Sequence, residues 1–185
     1  MSENNVQARS RILLLDDEPN ILSALRRVFA SEPYDLEVFT DAASALACAK
    51  DMDFALAISD YRMPEVDGVS FLTLFRSLQP DAMRLILSGF TDLEALLGAI
   101  NDAHIYRFIT KPWQDYELRT TVAQALAHRA ALLDNRRLAD QLRAQQEQLH
   151  RQRNELERLE REHPGITQVK RGNDGAILLD DSGSE

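Results

Sequence analysis

Short apolar runs alternate with amphipathic stretches over the first 128 residues of the chain. Helical periodicity occurs near residues 20–30, 42–50, 68–78 and 92–101. Strands that alternate with helices predict a parallel sheet with helices on both faces. The apolar runs that we interpret as its five strands are Ile12–Leu15, Leu36–Phe39, Phe54–Ile58, Arg84–Leu87 and Ile105–Ile109.

Four of these five runs are followed by residues suited to metal or phosphate chemistry. Parallel sheets bind ligands beyond the carboxyl ends of their strands, so these residues are predicted to share one edge. Carboxylate oxygens suit a hard cation such as Mg²⁺, and a lysine supplies a mobile positive charge for an anionic group. The residues are Asp16, Asp17 and Glu18 after the first run, Asp60 after the third, Ser88 after the fourth and Lys111 after the fifth.

The order and spacing of these residues resemble the receiver domain of two-component response regulators, over roughly residues 10–128. Met63, Pro64 and Gly68 also match the stretch that follows the phosphoacceptor in that family. The resemblance implies a flavodoxin-like α/β fold, a doubly wound five-stranded parallel sheet of order 2-1-3-4-5. It also implies that Asp60 accepts a phosphoryl group from the phosphohistidine of a histidine kinase.

The same resemblance implies a Mg²⁺ site beside the acceptor. Asp17, Asp60 and the backbone carbonyl of Arg62 would hold the ion, and Asp16 would assist through water. This fits the chemistry, because a carboxylate attacks an anionic phosphoryl group only when cations neutralise the repulsion and align the groups.

A conformational switch is implied as well. Ser88 and Lys111 would contact the phosphoryl oxygens, and Phe108 falls where the family places its switch aromatic. Phosphorylation would then shift a two-state equilibrium and change the surface formed by the fourth predicted helix, the fifth strand and the long helix after it. Arg62 and Phe90 occupy positions that tune loss of the phosphoryl group to water, and we hypothesise a long-lived phosphorylated state.

The segment after the fifth strand predicts one long helix. No glycine or proline occurs between Trp113 and His163. A helix over Asp115–Glu162 would be roughly 72 Å long at about 1.5 Å per residue. We expect its first half to face the sheet through Leu118, Val122, Ala125 and Leu126.

The second half of this helix carries a heptad seam. Apolar spacing of four and three residues predicts a parallel two-stranded coiled coil, and hence a homodimer, with Gln145 and Gln152 lowering its stability. The predicted seam leucines are Leu138, Leu142, Leu149, Leu156 and Leu159.

These patterns predict four regions. Residues 1–10 are expected to be disordered, 11–128 to form the receiver domain, 129–163 to form the coiled-coil helix, and 164–185 to form a tail with a possible β-hairpin near Gly172–Gly175. No helix-turn-helix, nucleotide-cyclase or phosphodiesterase motif follows the receiver region. We therefore expect output to a protein partner through the helix and tail.

Composition narrows the class of protein. The net charge is −9, and residues 1–128 carry −8 of it, which disfavours direct binding of nucleic acid. Cys48 is the only cysteine, so no intramolecular disulfide can form, and no apolar run approaches the roughly 20 residues that span a membrane. We expect a soluble, cytoplasmic protein without a membrane anchor.

Two other functions fit parts of the pattern. A metal-dependent phosphatase or phosphotransferase would use Asp60 or Asp16 as its nucleophile. Haloacid dehalogenase-like enzymes use Asp-x-Asp and a cap domain, whereas the acids here are adjacent and no cap is present. A phosphorylation-independent binding scaffold is the other alternative, and the complete set of site residues argues against it. We expect no enzyme activity beyond self-phosphorylation and autodephosphorylation.

Overall fold

The computed structural model describes residues 9–89 and 103–163. Five parallel strands form one sheet of order β2-β1-β3-β4-β5, which confirms the predicted fold. The predicted helix near 92–101, the predicted tail hairpin and most of the predicted disordered N-terminus lie outside the described residues. The strands are β1 (Ser10–Leu15), β2 (Tyr34–Phe39), β3 (Leu56–Asp60), β4 (Met83–Gly89) and β5 (Arg107–Lys111); the helices are α1 (Pro19–Val28), α2 (Ala42–Asp51), α3 (Gly68–Leu78) and α4 (Asp115–Glu162).

Alternate residues of the central strands enter two separate cores. Leu14 and Ile58 face the core that α1 and the first half of α4 cover, whereas Leu15 and Ala57 face the core that α2 and α3 cover. Both faces of the sheet are therefore buried, which explains why these strands are almost continuously apolar.

Strands β3, β4 and β5 each end two residues later than the apolar runs predicted, whereas β1 and β2 end where predicted. Asp60 is paired in register with Leu87, and Lys111 with Gly89, so both site residues are the last residues of their strands. Ser88 likewise lies inside β4, paired with Thr110. These side chains therefore extend from the paired ladder itself, which restricts their positions more than a loop would.

A buried arginine anchors the segment that leads into β5. The Arg84 guanidinium donates hydrogen bonds to the carbonyl oxygens of Ala103 at 2.8 Å, His104 at 3.2 Å and Ala82 at 2.5 Å. Burial lowers the pKa of Arg84, and a nearby Arg76 lowers it further. The carbonyl oxygens accept hydrogen bonds from the guanidinium, and the bonds to Ala103 and His104 hold this segment against β4.

Helix α4 has two different environments along its length. Leu118, Val122 and Ala125 are fully buried in the first core, and Leu126 packs against it, as predicted. Beyond Asn135 the leucines of the helix are largely exposed to solvent: the exposed fraction is 55% for Leu138, 59% for Leu142, 64% for Leu149 and 54% for Leu156. Leu159 is partly buried. No helix within residues 9–89 and 103–163 has the length and hydropathy needed to cross a bilayer.

The start of α3 approaches the end of β3 closely. Asp67 caps the helix by accepting a hydrogen bond from the Ser70 N–H at 2.9 Å. The Gly68 N–H donates to the Tyr61 carbonyl at 2.9 Å. A Cβ at Gly68 would overlap the carbonyl oxygen of Asp60, so only glycine fits between α3 and the strand that ends in Asp60.

Gly68→Ala is therefore expected to lower the free energy of unfolding by about 3 kcal/mol, because the overlapping atoms are backbone and cannot rotate away. Urea denaturation measures this, with the exposed Ser77→Ala on the same helix as control, expected within about 0.5 kcal/mol of the unsubstituted protein. Equal stability of the two variants would show that α3 can shift to accept a methyl group.

Candidate functional site

The carboxyl ends of β1, β3 and β5 bring two acids and one lysine together. Lys111 Nζ lies 2.7 Å from Asp16 Oδ2 and 2.6 Å from Asp60 Oδ1. Asp16 is fully buried, Asp60 is 6% exposed, and the Lys111 side chain is 21% exposed. One ammonium therefore bridges two carboxylates from non-adjacent parts of the chain.

Backbone donors complete the surroundings of both acids. Asp16 Oδ1 accepts a hydrogen bond from the Glu18 N–H at 2.9 Å, and the Arg62 backbone N–H hydrogen-bonds to the Asp60 carboxylate. Asp17 is exposed, in the loop between β1 and α1. Of the three acids predicted after the first strand, only Asp16 contacts Lys111.

The charge balance of this cluster explains its pKa shifts. Burial raises the pKa of Asp60, and the charge of Asp16 raises it further, although Lys111 and the Arg62 N–H act in the opposite direction. For Lys111, burial opposes the ammonium, but the hydrogen bonds and charges of Asp16 and Asp60 outweigh it and raise the pKa. Burial is thus the main cause of the raised Asp60 pKa, whereas the two carboxylates are the cause of the raised Lys111 pKa. Two carboxylates beside one ammonium leave the cluster short of positive charge.

Ser88 adds an unused hydroxyl at the same edge of the sheet. It is 1% exposed, and its Oγ has no hydrogen-bond partner within residues 9–89 and 103–163. Buried hydroxyls normally have partners, because desolvation without one is costly. A hydroxyl next to the Asp60 strand is thus available to donate to an anionic oxygen.

Ser88→Ala is expected to leave the free energy of unfolding unchanged or raise it by up to about 1 kcal/mol, since it removes a desolvated group that makes no bond. Ser59→Ala is the matched control, because the buried Ser59 Oγ donates to the Asp60 carbonyl at 2.9 Å and its loss should cost about 1 kcal/mol. Equal destabilisation of both variants in urea would contradict the assignment of Ser88 as an unsatisfied donor.

The other predicted residues are not part of the ion pairs of Lys111 within the residues that the structure describes. Phe108 is partly buried and packs against the core under α2 and α3, as does Met63. Arg62 is exposed immediately after β3, and Phe90 lies outside the described residues. The structure thus brings Asp16, Asp60 and Lys111 into contact, with Ser88 on the neighbouring strand.

The donor chemistry fits Mg²⁺. No three acidic, histidine or cysteine side chains form a metal cluster in the part of the chain that the structure describes. Mg²⁺ does not require one, because it commonly binds through one or two carboxylates, retains several waters and takes further oxygens from a phosphate. On the assignment implied by the resemblance, Asp17, Asp60 and the Arg62 carbonyl would hold the ion, and it would add the positive charge that two carboxylates beside one ammonium lack.

Sequence reasoning overlooked two contributions to this site. It predicted a role for Asp16 in water-mediated metal binding, which stays a prediction, and did not foresee the hydrogen bond that Asp16 accepts from Lys111. Arg84 was treated only as the start of an apolar run, although it anchors the segment before β5 that carries Lys111. A charged residue inside an otherwise apolar strand was the signal that could have identified it.

Comparison with known proteins agrees with the geometry. Residues 12–123 match the family described as response regulator receiver domain. The chain is 39% identical over 115 residues to the hydrogenase transcriptional regulatory protein HoxA of Bradyrhizobium diazoefficiens, covering 62% of this chain and 24% of that protein. It is 34% identical over 135 residues to HoxA of Cupriavidus necator, covering 73% and 28%.

A solved structure shows the same similarity. The signal receiver domain of an HD domain-containing protein from Pseudomonas fluorescens Pf-5 superposes with a TM-score of 0.63 at 36% identity, covering 66% of this chain and 98% of that one. The chain spans less than a third of the length of the curated relatives it matches. Because the family match covers more than half of the chain and the fold and strand-end residues agree with it, this chain belongs to the receiver domain family of two-component response regulators.

Proposed function

We propose that Asp60 is the phosphoacceptor of a two-component signalling pathway and takes its phosphoryl group from the phosphohistidine of a histidine kinase. The observation that carries this proposal is the contact of Lys111 Nζ with both Asp60 and Asp16 at the carboxyl edge of the sheet. A partly buried lysine held by two acids is placed to neutralise an incoming anion. Receivers are signalling phosphoacceptor domains and typically bind Mg²⁺ for phosphorylation.

In this proposal each residue has a distinct task. An Asp60 carboxylate oxygen attacks phosphorus while the phosphorus–nitrogen bond of the donor breaks, and the imidazole nitrogen keeps the bonding pair and takes up a proton. Lys111 and the Ser88 hydroxyl bind the phosphoryl oxygens. Mg²⁺, held by Asp17, Asp60 and the Arg62 carbonyl with Asp16 assisting through water, would neutralise charge and align donor with acceptor.

The response would follow from the same contacts. Ser88 starts without a hydrogen-bond partner among the described residues, so a phosphoryl oxygen gives its hydroxyl one. Movement of Ser88 towards that oxygen would leave space into which the partly buried Phe108 turns. The equilibrium shifts because the phosphorylated state has a contact that the other state lacks.

We further infer a slow loss of the phosphoryl group, because Arg62 and Phe90 occupy sequence positions that tune this loss in the family, and a bulky Phe90 would screen the attacking water. The decay of the phosphorylated protein measures this directly. Loss of the label within seconds, without any phosphatase, would contradict it.

The remaining assignments extend this role to the whole chain. Residues 11–128 would act as the receiver and 129–163 as a dimerisation helix, with output through that helix and the 164–185 tail to a downstream protein. The acidic charge of the receiver region disfavours direct contact with nucleic acid. We place this activity in the cytoplasm, where histidine kinases transfer their phosphoryl groups.

Incubation of the full chain with acetyl phosphate tests the chemistry. We expect a covalent label that requires Mg²⁺, is prevented by a chelator, and is released by hydroxylamine, as an acyl phosphate is. Absence of label at saturating Mg²⁺, or a label that resists hydroxylamine, would overturn the proposal.

A further inference from the structure

The exposed half of α4 carries a polar pattern within its apolar seam. Leu142, Leu149 and Leu156 occupy the a positions of a heptad repeat, and Asn135 is the a residue one heptad before Leu142. The d positions are Leu138, Gln145, Gln152 and Leu159. Asn135 is also the first residue of the second compact unit of the chain, so the polar layer lies where the helix leaves the receiver unit.

The charges on this half of the helix do not favour a charged partner. Residues 135–162 contain seven arginines and six acidic residues, so the segment is nearly neutral. Ion pairs join residues one turn apart on the same helix, as in Arg143–Asp140, Arg151–Glu147, Arg153–Glu157 and Arg158–Glu155. A nearly neutral helix with exposed leucines matches an equally neutral apolar partner, and another copy of the same helix meets that requirement.

The positions of the polar residues select the orientation of that copy. With two copies parallel and in register, each seam layer faces itself, so Asn135, Gln145 and Gln152 each face an identical amide. An antiparallel pair with full overlap would place Asn135 opposite Leu159, Gln152 opposite Leu142 and Gln145 opposite Leu149. Amides can hydrogen-bond to one another but not to leucine, so only the parallel pair satisfies all three buried layers.

We propose that residues 135–159 form a parallel, in-register two-stranded coiled coil with a second copy of this chain, and that Asn135 sets its register. This inference rests on the dimerisation part of the proposed function and adds to it the in-register pairing of the polar layers and the residue that sets the register. A buried asparagine at an a position is known to set register and strand number at a cost in stability.

Disulfide cross-linking of the full chain tests the orientation. Cys48→Ser first removes the native thiol, and Leu138→Cys or Leu156→Cys is then introduced separately. We expect each variant to cross-link to itself under mild oxidation, and a mixture to form no 138–156 disulfide, because parallel partners bring identical positions within disulfide range. Arg143→Cys, at an outward b position, is the control and should not cross-link.

A 138–156 disulfide in the mixture would overturn the parallel arrangement while leaving dimerisation intact. Absence of any cross-link, with a monomer in analytical ultracentrifugation, would overturn the coiled coil altogether. Neither result bears on phosphorylation of Asp60, which is measured on the same samples with acetyl phosphate and can fail or succeed independently.

The role of Asn135 is tested separately. Asn135→Leu is expected to lower the dimer dissociation constant by about tenfold or more and to allow larger oligomers, because the polar layer is lost. Asn154→Leu, at an outward f position, is the matched control and should change neither quantity. Identical behaviour of the two variants would overturn the assignment of Asn135.

Discussion

Asp60→Asn is expected to abolish phosphorylation by acetyl phosphate. Asparagine has nearly the same shape and its amide oxygen can still accept from Lys111, but it provides no carboxylate to attack phosphorus. Burial raises the pKa of Asp60, which means that the folded protein disfavours the ionised acid there. A neutral amide should therefore keep the thermal stability of the protein, so loss of label would report chemistry and not unfolding.

Asp53→Asn is the matched control for this prediction. Asp53 is exposed and precedes β3 at the opposite edge of the sheet from Asp60. The Asp53→Asn variant should be phosphorylated at the same rate as the unsubstituted protein. Residual Mg²⁺-dependent labelling of Asp60→Asn would show that another acid, such as Asp16 or Asp17, can accept the phosphoryl group.

Lys111→Met is expected to slow phosphorylation by about 100-fold or more, the usual effect of removing a preorganised group that stabilises developing charge. Methionine retains the length of the side chain but leaves Asp16 and Asp60 without their shared cation. The rate of labelling at saturating Mg²⁺ and acetyl phosphate measures this effect. Lys50→Met, an exposed lysine at the end of α2, is the control and should have no effect.

The Lys111→Met variant is also expected to lose stability, because Asp16 and Asp60 would be buried without a compensating cation. A second substitution separates this loss of stability from an effect on the labelling rate. Asp16→Asn in the same chain removes one of the two negative charges. We expect the double variant to regain thermal stability but to remain slow in labelling. Recovery of the labelling rate together with stability would mean that Lys111 has only a structural role.

The alternation of apolar runs was sufficient to predict a parallel sheet with helices on both faces and the edge of that sheet where the candidate site lies, whereas the strand order came from the resemblance to receiver domains. Parallel strands place their carboxyl ends together, so Asp60, Ser88 and Lys111 could be assigned to one edge without knowing any distance. The strand ends were less predictable. Apolar periodicity does not indicate that Asp60 and Lys111, although charged, still pair with the neighbouring strand.

Contacts between polar side chains were beyond the reach of sequence patterns. The Asp16–Lys111 hydrogen bond joins residues 95 positions apart, and its existence depends on the packing of β1, β3 and β5. Arg84 and Asn135 were overlooked for a common reason, since a search for apolar periodicity passes over polar residues within a strand or a seam. Arg84 was identified from its hydrogen-bond partners, and Asn135 from its heptad position on the long helix.

Mass-spectrometric location of the acyl phosphate tests the central claim most directly. The full chain is incubated with Mg²⁺ and acetyl phosphate, digested at low pH, and each peptide is examined for the added mass of one phosphoryl group. We predict that the group is found on Asp60, with Asp16 and Asp17 unmodified. A phosphoryl group on either of those acids, or on none of the three, would contradict the account of this site.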